Sequence, residues 1–141
     1  MSLYLKKYLP FRFAFITVLV INSLIIFFHL AVLLGLVPFA YVWGGKLQTV
    51  EEMYVFESAS IAINLLLIGL VLFKAGWLAT PVPLKLLNGL LWLFVVIFAL
   101  NTAGNLAAET TLETLLATPL TFILALACWR LALPEEPALK V

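Results

Sequence analysis

Four long runs of apolar residues divide the chain, and each run ends near a charged residue or a proline. We place these runs at 13–37, 54–73, 86–107 and 115–133. A helix needs about 20 apolar residues to cross the hydrocarbon core of a bilayer. Because lipid offers no water to pair exposed backbone groups, each run is predicted to be a membrane-spanning helix. The pattern therefore predicts an all-α protein: a four-helix transmembrane bundle formed by one domain over residues 1–141.

Composition supports this prediction and excludes a soluble protein. The chain is 65% hydrophobic and 11% charged, with a mean hydropathy of +1.20, whereas soluble domains carry roughly 25% charged residues. The first apolar run is much longer than the core of a secretory signal peptide, which spans about 7–15 residues. We therefore expect a retained anchor. The net charge of +1 and the lack of a basic stripe argue against a nucleic-acid partner.

Positively charged residues predict the orientation of the bundle, because they collect on the cytoplasmic side of membrane proteins. In a four-span topology, Lys46 is the one basic residue on the side opposite the termini, and Tyr41 and Trp43 fit an aromatic belt there. We therefore expect both termini in the cytoplasm. Without a signal peptide or N-glycosylation sequon, a bacterial inner membrane is the preferred localisation. The seven basic residues on the side of the termini are Lys6, Lys7, Arg12, Lys74, Lys85, Arg130 and Lys140.

Several kinds of chemistry are excluded by residues that the chain lacks. Cys128 is the single cysteine, so an internal disulfide or a CxxC redox pair is impossible. The chain has one histidine and no aspartate, and it contains no Gly-rich phosphate loop, HExxH motif or GxSxG motif. We therefore predict no cofactor and no metal site.

Glu57 is the most informative residue, because it lies inside the second apolar run. An ionisable group in hydrocarbon is costly and marks a site by default. With a rise of about 1.5 Å per helical residue, other polar residues map to the same half of the bundle, away from the termini. These residues are His29, Asn101, Asn105 and Thr118.

Helical periodicity places these polar residues on inward faces. Glu57, Ser60 and Asn64 follow the i, i+3, i+7 pattern, and Asn101 and Asn105 are i, i+4 neighbours. Since polar groups avoid lipid, such stripes are predicted to face one another and form a polar pocket open to the non-cytoplasmic side. The candidate ligand-binding residues are His29, Glu57, Asn101, Asn105 and Thr118.

Two loops on that side carry a helix-start signal. Thr49 with Glu52, and Thr110 with Glu113, have the spacing of a capping box, in which a threonine oxygen and a glutamate three residues later pair with free backbone N–H groups. Helices are therefore predicted to begin at both positions.

Three functions remain open at this stage. The first is binding or transport of a small polar ligand, ion or proton in the pocket. The second is a structural or accessory subunit of a homo-oligomer or larger membrane complex, in which polar side chains join helices at about 0.6 kcal/mol per bond, with Ala99, Ala103 and Ala107 allowing close helix contact. The third is an intramembrane enzyme that uses His29 and Glu57 as acid and base. No nucleophile or metal set supports the third function.

Overall fold

Four long helices dominate the computed structural model, which describes residues 2–79, 81–108, 111 and 113–134. The helices are long and apolar enough to cross a membrane, and no β-strand occurs in the described part of the chain. The predicted four-helix transmembrane bundle is therefore confirmed. Its elements are the short α1 (Ser2–Tyr8), then α2 (Phe11–Leu33), α3 (Val50–Lys74), α4 (Leu84–Leu106) and α5 (Thr118–Ala132), the last preceded by a π-helical turn (Glu113–Ala117).

The outer surface of the bundle is apolar. Leu24 is 60% exposed and Leu93 is 53% exposed, so large hydrophobic side chains point away from the protein on different helices. Such a surface is costly in water and is the expected lipid-facing surface of a membrane bundle.

The first long helix ends earlier than its apolar run predicts. Helix α2 stops at Leu33, whereas the run extends to residue 37. Gly35 adopts a φ of 72°, and the N–H of Leu36 donates to the carbonyl of Ala31 at 2.9 Å. This is a Schellman ending, which a glycine with positive φ favours. Apolarity alone gives no signal for it, so the run overestimates the helix.

Helix α3 begins at the predicted cap. The Thr49 hydroxyl accepts a hydrogen bond from the Glu52 N–H at 3.1 Å, and the Glu52 carboxylate accepts one from the Gln48 N–H at 2.8 Å. The threonine half of the box is confirmed, whereas the glutamate reaches one residue beyond the threonine. The second predicted box, Thr110 with Glu113, lies outside the residues whose side chains are described.

The bundle has two halves, which we call terminal and distal. The terminal half contains both ends of the described chain, where the Lys6 ammonium donates to the Pro134 carbonyl at 2.6 Å and the Arg130 guanidinium donates to the Leu9 carbonyl at 2.8 Å. The distal half lies beside the loop between α2 and α3. Fully buried side chains fill the terminal half: Ala14, Val18, Leu67, Val71, Leu91, Leu124, Cys128 and Leu131.

Candidate functional site

Glu57 lies in the distal half, two turns into α3, and is completely buried. Its Oε2 lies 2.5 Å from Nδ1 of His29 on α2, and its Oε1 accepts a hydrogen bond from the indole N–H of Trp43 at 2.8 Å. The predicted proximity of His29 and Glu57 is therefore a direct contact. Because both oxygens are paired, the buried carboxyl group satisfies the requirement that a polar group inside a protein be hydrogen-bonded.

His29 keeps one ring nitrogen available. Nδ1 is occupied by Glu57, whereas Nε2 has no hydrogen-bond partner among the described residues. The side chain is 16% exposed. Among the described residues, Asn22 Oδ1 is the only buried side-chain nitrogen or oxygen atom without a hydrogen-bond partner. Since His29 Nε2 has no partner and is not that atom, it is not buried and is accessible. The dyad therefore presents an imidazole nitrogen, and not a carboxylate oxygen, to any molecule beside it.

Trp43 is a member of the site that the sequence interpretation missed. The sequence pattern predicts an interfacial belt position for Trp43, but the loop between α2 and α3 folds inward and brings the indole to Glu57. Its ring also packs against Phe56, with centroids 4.9 Å apart. Trp43 has a φ of 56°, a conformation that costs a bulky residue roughly 1–3 kcal/mol. The following Gly44–Gly45 pair was the available signal for such a tight turn.

A cavity of about 440 Å³ adjoins the dyad in the distal half. All four long helices contribute to its wall, and Val42 and Trp43 of the loop line it as well. Four of the five predicted ligand-binding residues line this cavity: His29, Glu57, Asn101 and Asn105. Apolar side chains supply most of the remaining wall, which comprises Leu24, Ile25, Phe28, Ile63, Phe94, Ile97, Phe98, Leu116, Ala117 and Leu120.

Thr118, the fifth predicted residue, is not among the residues that line the cavity, whereas Ala117 and Thr121 are. The Thr121 hydroxyl donates to the Ala117 carbonyl at 2.9 Å, and Asn105 Nδ2 lies 3.4 Å from the same hydroxyl. The π-helical turn before Thr118 adds a residue to the helical turn, which alters the face that the simple 3.6-residue period predicts.

Asn101 differs from its neighbour Asn105 because its amide has no hydrogen-bond partner among the described residues. The side chain is exposed and lines the cavity. A free amide at membrane depth gains little from contact with lipid, so it is available to donate to or accept from a bound molecule.

The polar stripe of α3 continues toward the terminal half and then stops. Asn22 Nδ2 donates to the Asn64 carbonyl at 2.7 Å, and Asn64 Nδ2 donates to the Ser60 carbonyl at 2.7 Å. The predicted inward faces of α2 and α3 are thus in contact. One turn farther along each of these helices, Val18 and Leu67 are completely buried, so the cavity has an apolar floor.

No protein-family model matches the chain, and no curated protein or solved structure matches it either. Across the described residues, no three His, Cys, Asp or Glu side chains are close enough to share a metal ion. The geometry of the dyad and the cavity is therefore the basis for a functional proposal.

Proposed function

We propose that this membrane protein binds a small molecule in the cavity of its distal half. The observation that supports the proposal is a buried carboxylate–histidine dyad whose free imidazole nitrogen is accessible beside a cavity of about 440 Å³. Ligand sites are typically apolar cavities of about 300–1,000 Å³ with a few converging polar groups. This cavity has that size and that composition.

Two unpaired polar groups favour binding over a purely structural network. In a network that only joins helices, we expect the polar groups to satisfy one another, because each unpaired group is costly in a membrane. Here His29 Nε2 and the Asn101 amide both remain unpaired among the described residues and both belong to lining residues. A bound molecule would satisfy them.

The apolar floor favours binding over open conduction. Val18, Leu67 and Leu124 are completely buried in the terminal half, so packed apolar side chains separate the cavity from the other side of the bundle. Transport of the bound molecule would require these packed side chains to separate. We therefore propose binding and not conduction. From the distribution of basic residues, we further propose cytoplasmic termini and a bacterial inner membrane location.

An accessory subunit is the second candidate function. Ala99, Ala103 and Gly104 are exposed on α4, and Ala107 is exposed directly after it. Small residues at this spacing allow another transmembrane helix to approach closely. This candidate predicts that a larger membrane protein co-purifies in mild detergent at constant stoichiometry. A homogeneous monomer without such a partner would contradict it.

Mass spectrometry of molecules that co-purify with the protein tests the binding proposal. The protein is isolated in lipid nanodiscs, extracted and compared with two variants of equal size change. Ala117→Leu fills the cavity, whereas Ala99→Leu adds the same atoms to an exposed position on α4. We expect a stoichiometric small molecule with wild type and Ala99→Leu, and its loss with Ala117→Leu. Equal amounts in all three preparations, or no bound molecule in any, would contradict the proposal.

A further inference from the structure

We infer that the ligand of this cavity is a neutral, lipid-soluble molecule whose polar end carries a hydroxyl group, which donates a hydrogen bond to Nε2 of His29. The chemical class includes long-chain alcohols, phenols and quinols. The inference rests on the proposed binding function and specifies its ligand.

We infer the role of each nitrogen for an ionised Glu57 beside a neutral His29, for which the hydrogen bonds of Glu57 determine which imidazole nitrogen accepts. An indole N–H can only donate, so Oε1 accepts from Trp43, and Oε2 faces Nδ1 of His29 at 2.5 Å. An ionised carboxylate has no proton to donate, so the proton of the neutral imidazole is on Nδ1. Nε2 then carries a lone pair and requires a donor from the ligand.

The charge of the cavity wall selects a neutral polar end. No lysine or arginine belongs to the residues that line the cavity, and the carboxylate of Glu57 is the one formal charge among them. An anionic head group would be desolvated beside that carboxylate without a cation to compensate it. A cationic head group cannot reach the carboxylate directly, because Glu57 is completely buried behind His29 and Trp43.

The cavity wall continues onto the surface that faces lipid. Leu24, Ile63 and Leu116 line the cavity and are also 60%, 46% and 58% exposed. They belong to α2, α3 and the turn before α5, so the space between the helices is continuous with the hydrocarbon region. A molecule with an apolar body can occupy this space and place its polar end beside His29 and Asn101.

Nitrogen-15 NMR of the imidazole tests the inference directly, because His29 is the only histidine in the chain. The labelled protein in phosphatidylcholine nanodiscs is titrated with four probes of equal chain length: dodecanol, dodecane, dodecylsulfonate and dodecyltrimethylammonium. We expect a protonated Nδ1 and an unprotonated Nε2, and a shift of the Nε2 signal with dodecanol. One neutral hydrogen bond corresponds to about tenfold tighter binding of dodecanol than of the other three probes.

Glu57→Gln provides a variant with a specific spectroscopic signature. The glutamine oxygen can accept from Trp43 while its amide donates to Nδ1, so the imidazole proton moves to Nε2 and removes the acceptor. We expect a protonated Nε2 and a roughly tenfold loss of dodecanol affinity. Ser58→Ala is the matched control, because Ser58 is adjacent in sequence but exposed, and it should behave as wild type.

Three results would overturn the inference: a protonated Nε2 in the wild-type protein, tighter binding of either ionic probe, or an Nε2 signal that dodecanol does not move. The wild-type spectra decide these points even if Glu57→Gln fails to fold. If the cavity-dependent molecule of the Ala117→Leu comparison is still found, only the hydroxyl ligand is wrong. If that molecule is also absent, the binding function fails as well.

Discussion

Glu57 orients His29, whose second ring nitrogen is the ligand contact that we propose. Its two oxygens are held by His29 from α2 and by Trp43 from the loop, and the carboxylate is completely buried. A carboxylate in this position fixes the ring orientation and proton position of the histidine, as carboxylate–histidine pairs do behind metal ions. Under the binding proposal, the buried carboxyl group of Glu57 is therefore a positioning group.

Trp43→Phe should destabilise the protein, although the aromatic ring is retained. The substitution removes the donor to Glu57 Oε1 and leaves a buried carboxylate oxygen unpaired, which costs about 1–3 kcal/mol. Unfolding in nanodiscs or mild detergent measures the change in free energy. Trp92→Phe is the control, because Trp92 is 42% exposed and contacts Trp129 by its ring. Equal losses in the two variants would show that the hydrogen bond contributes nothing.

Asn22→Leu should leave the stability unchanged or raise it. Asn22 is completely buried and donates to the Asn64 carbonyl at 2.7 Å, but its Oδ1 has no partner among the described residues. Removing an unpaired buried acceptor gains about 1–3 kcal/mol, and losing one hydrogen bond costs about 1 kcal/mol. The same unfolding experiment measures the net change in the free energy of unfolding. A clear loss of stability would mean that Oδ1 is hydrogen-bonded in the membrane, by an ordered water molecule for example.

At the scale of elements, the site depends on two short features at the start of α3. The loop before α3 turns through Trp43, Gly44 and Gly45, each with positive φ, and brings the indole to Glu57. The Thr49 cap then starts the helix that carries Glu57. The position of the dyad therefore follows from local backbone geometry on both sides of the helix start.

Thr49→Ala should lower the free energy of unfolding by about 1 kcal/mol, because it removes the side-chain acceptor for the Glu52 N–H. Thr49→Ser keeps that acceptor and is expected to match wild type. Hydrogen exchange of the first turn of α3 checks the mechanism, since a frayed helix start exchanges faster in the alanine variant alone. Slow exchange in both variants would show that loop packing, and not the cap, holds the helix start.

At the scale of the whole molecule, the two halves of the bundle have different roles. The terminal half is closely packed, with Leu67, Leu91, Leu124 and Leu131 completely buried. The distal half contains the cavity and the buried Glu57. Packing stabilises the fold where the helices are in full apolar contact, which allows the other half to keep a cavity with a few polar groups at a cost in stability.

The orientation of the bundle is a prediction for the whole molecule. Cys128 is completely buried, so a Cys128→Ala background accepts single cysteines at exposed positions. In intact cells, a membrane-impermeant maleimide should label Gln48→Cys, whereas Lys85→Cys should react only after permeabilisation, because basic residues stay in the cytoplasm. The reverse labelling pattern would invert the proposed topology and place the cavity in the cytoplasmic half.

The fold class and several of the residues that line the cavity follow from the sequence alone. Helix number follows from the length of the apolar runs, because a membrane permits few alternatives to a helix. The inward faces of His29, Glu57 and Asn64 follow from helical periodicity together with the exclusion of polar groups from lipid. These are local or solvent-imposed constraints, so they can be derived without knowing which helices touch.

The remaining features depend on contacts between segments that are distant in the sequence or on local backbone geometry. The contact of Trp43 with Glu57 joins a loop to a helix across 14 residues of sequence, and no periodicity encodes how a loop folds. The early end of α2 depends on the φ of Gly35, and the displacement of Thr118 from the cavity accompanies a π-helical turn. The availability of His29 Nε2 depends on which side chains fill the space around it. Packing between distant segments sets all of these, because a side chain's partners are determined in three dimensions.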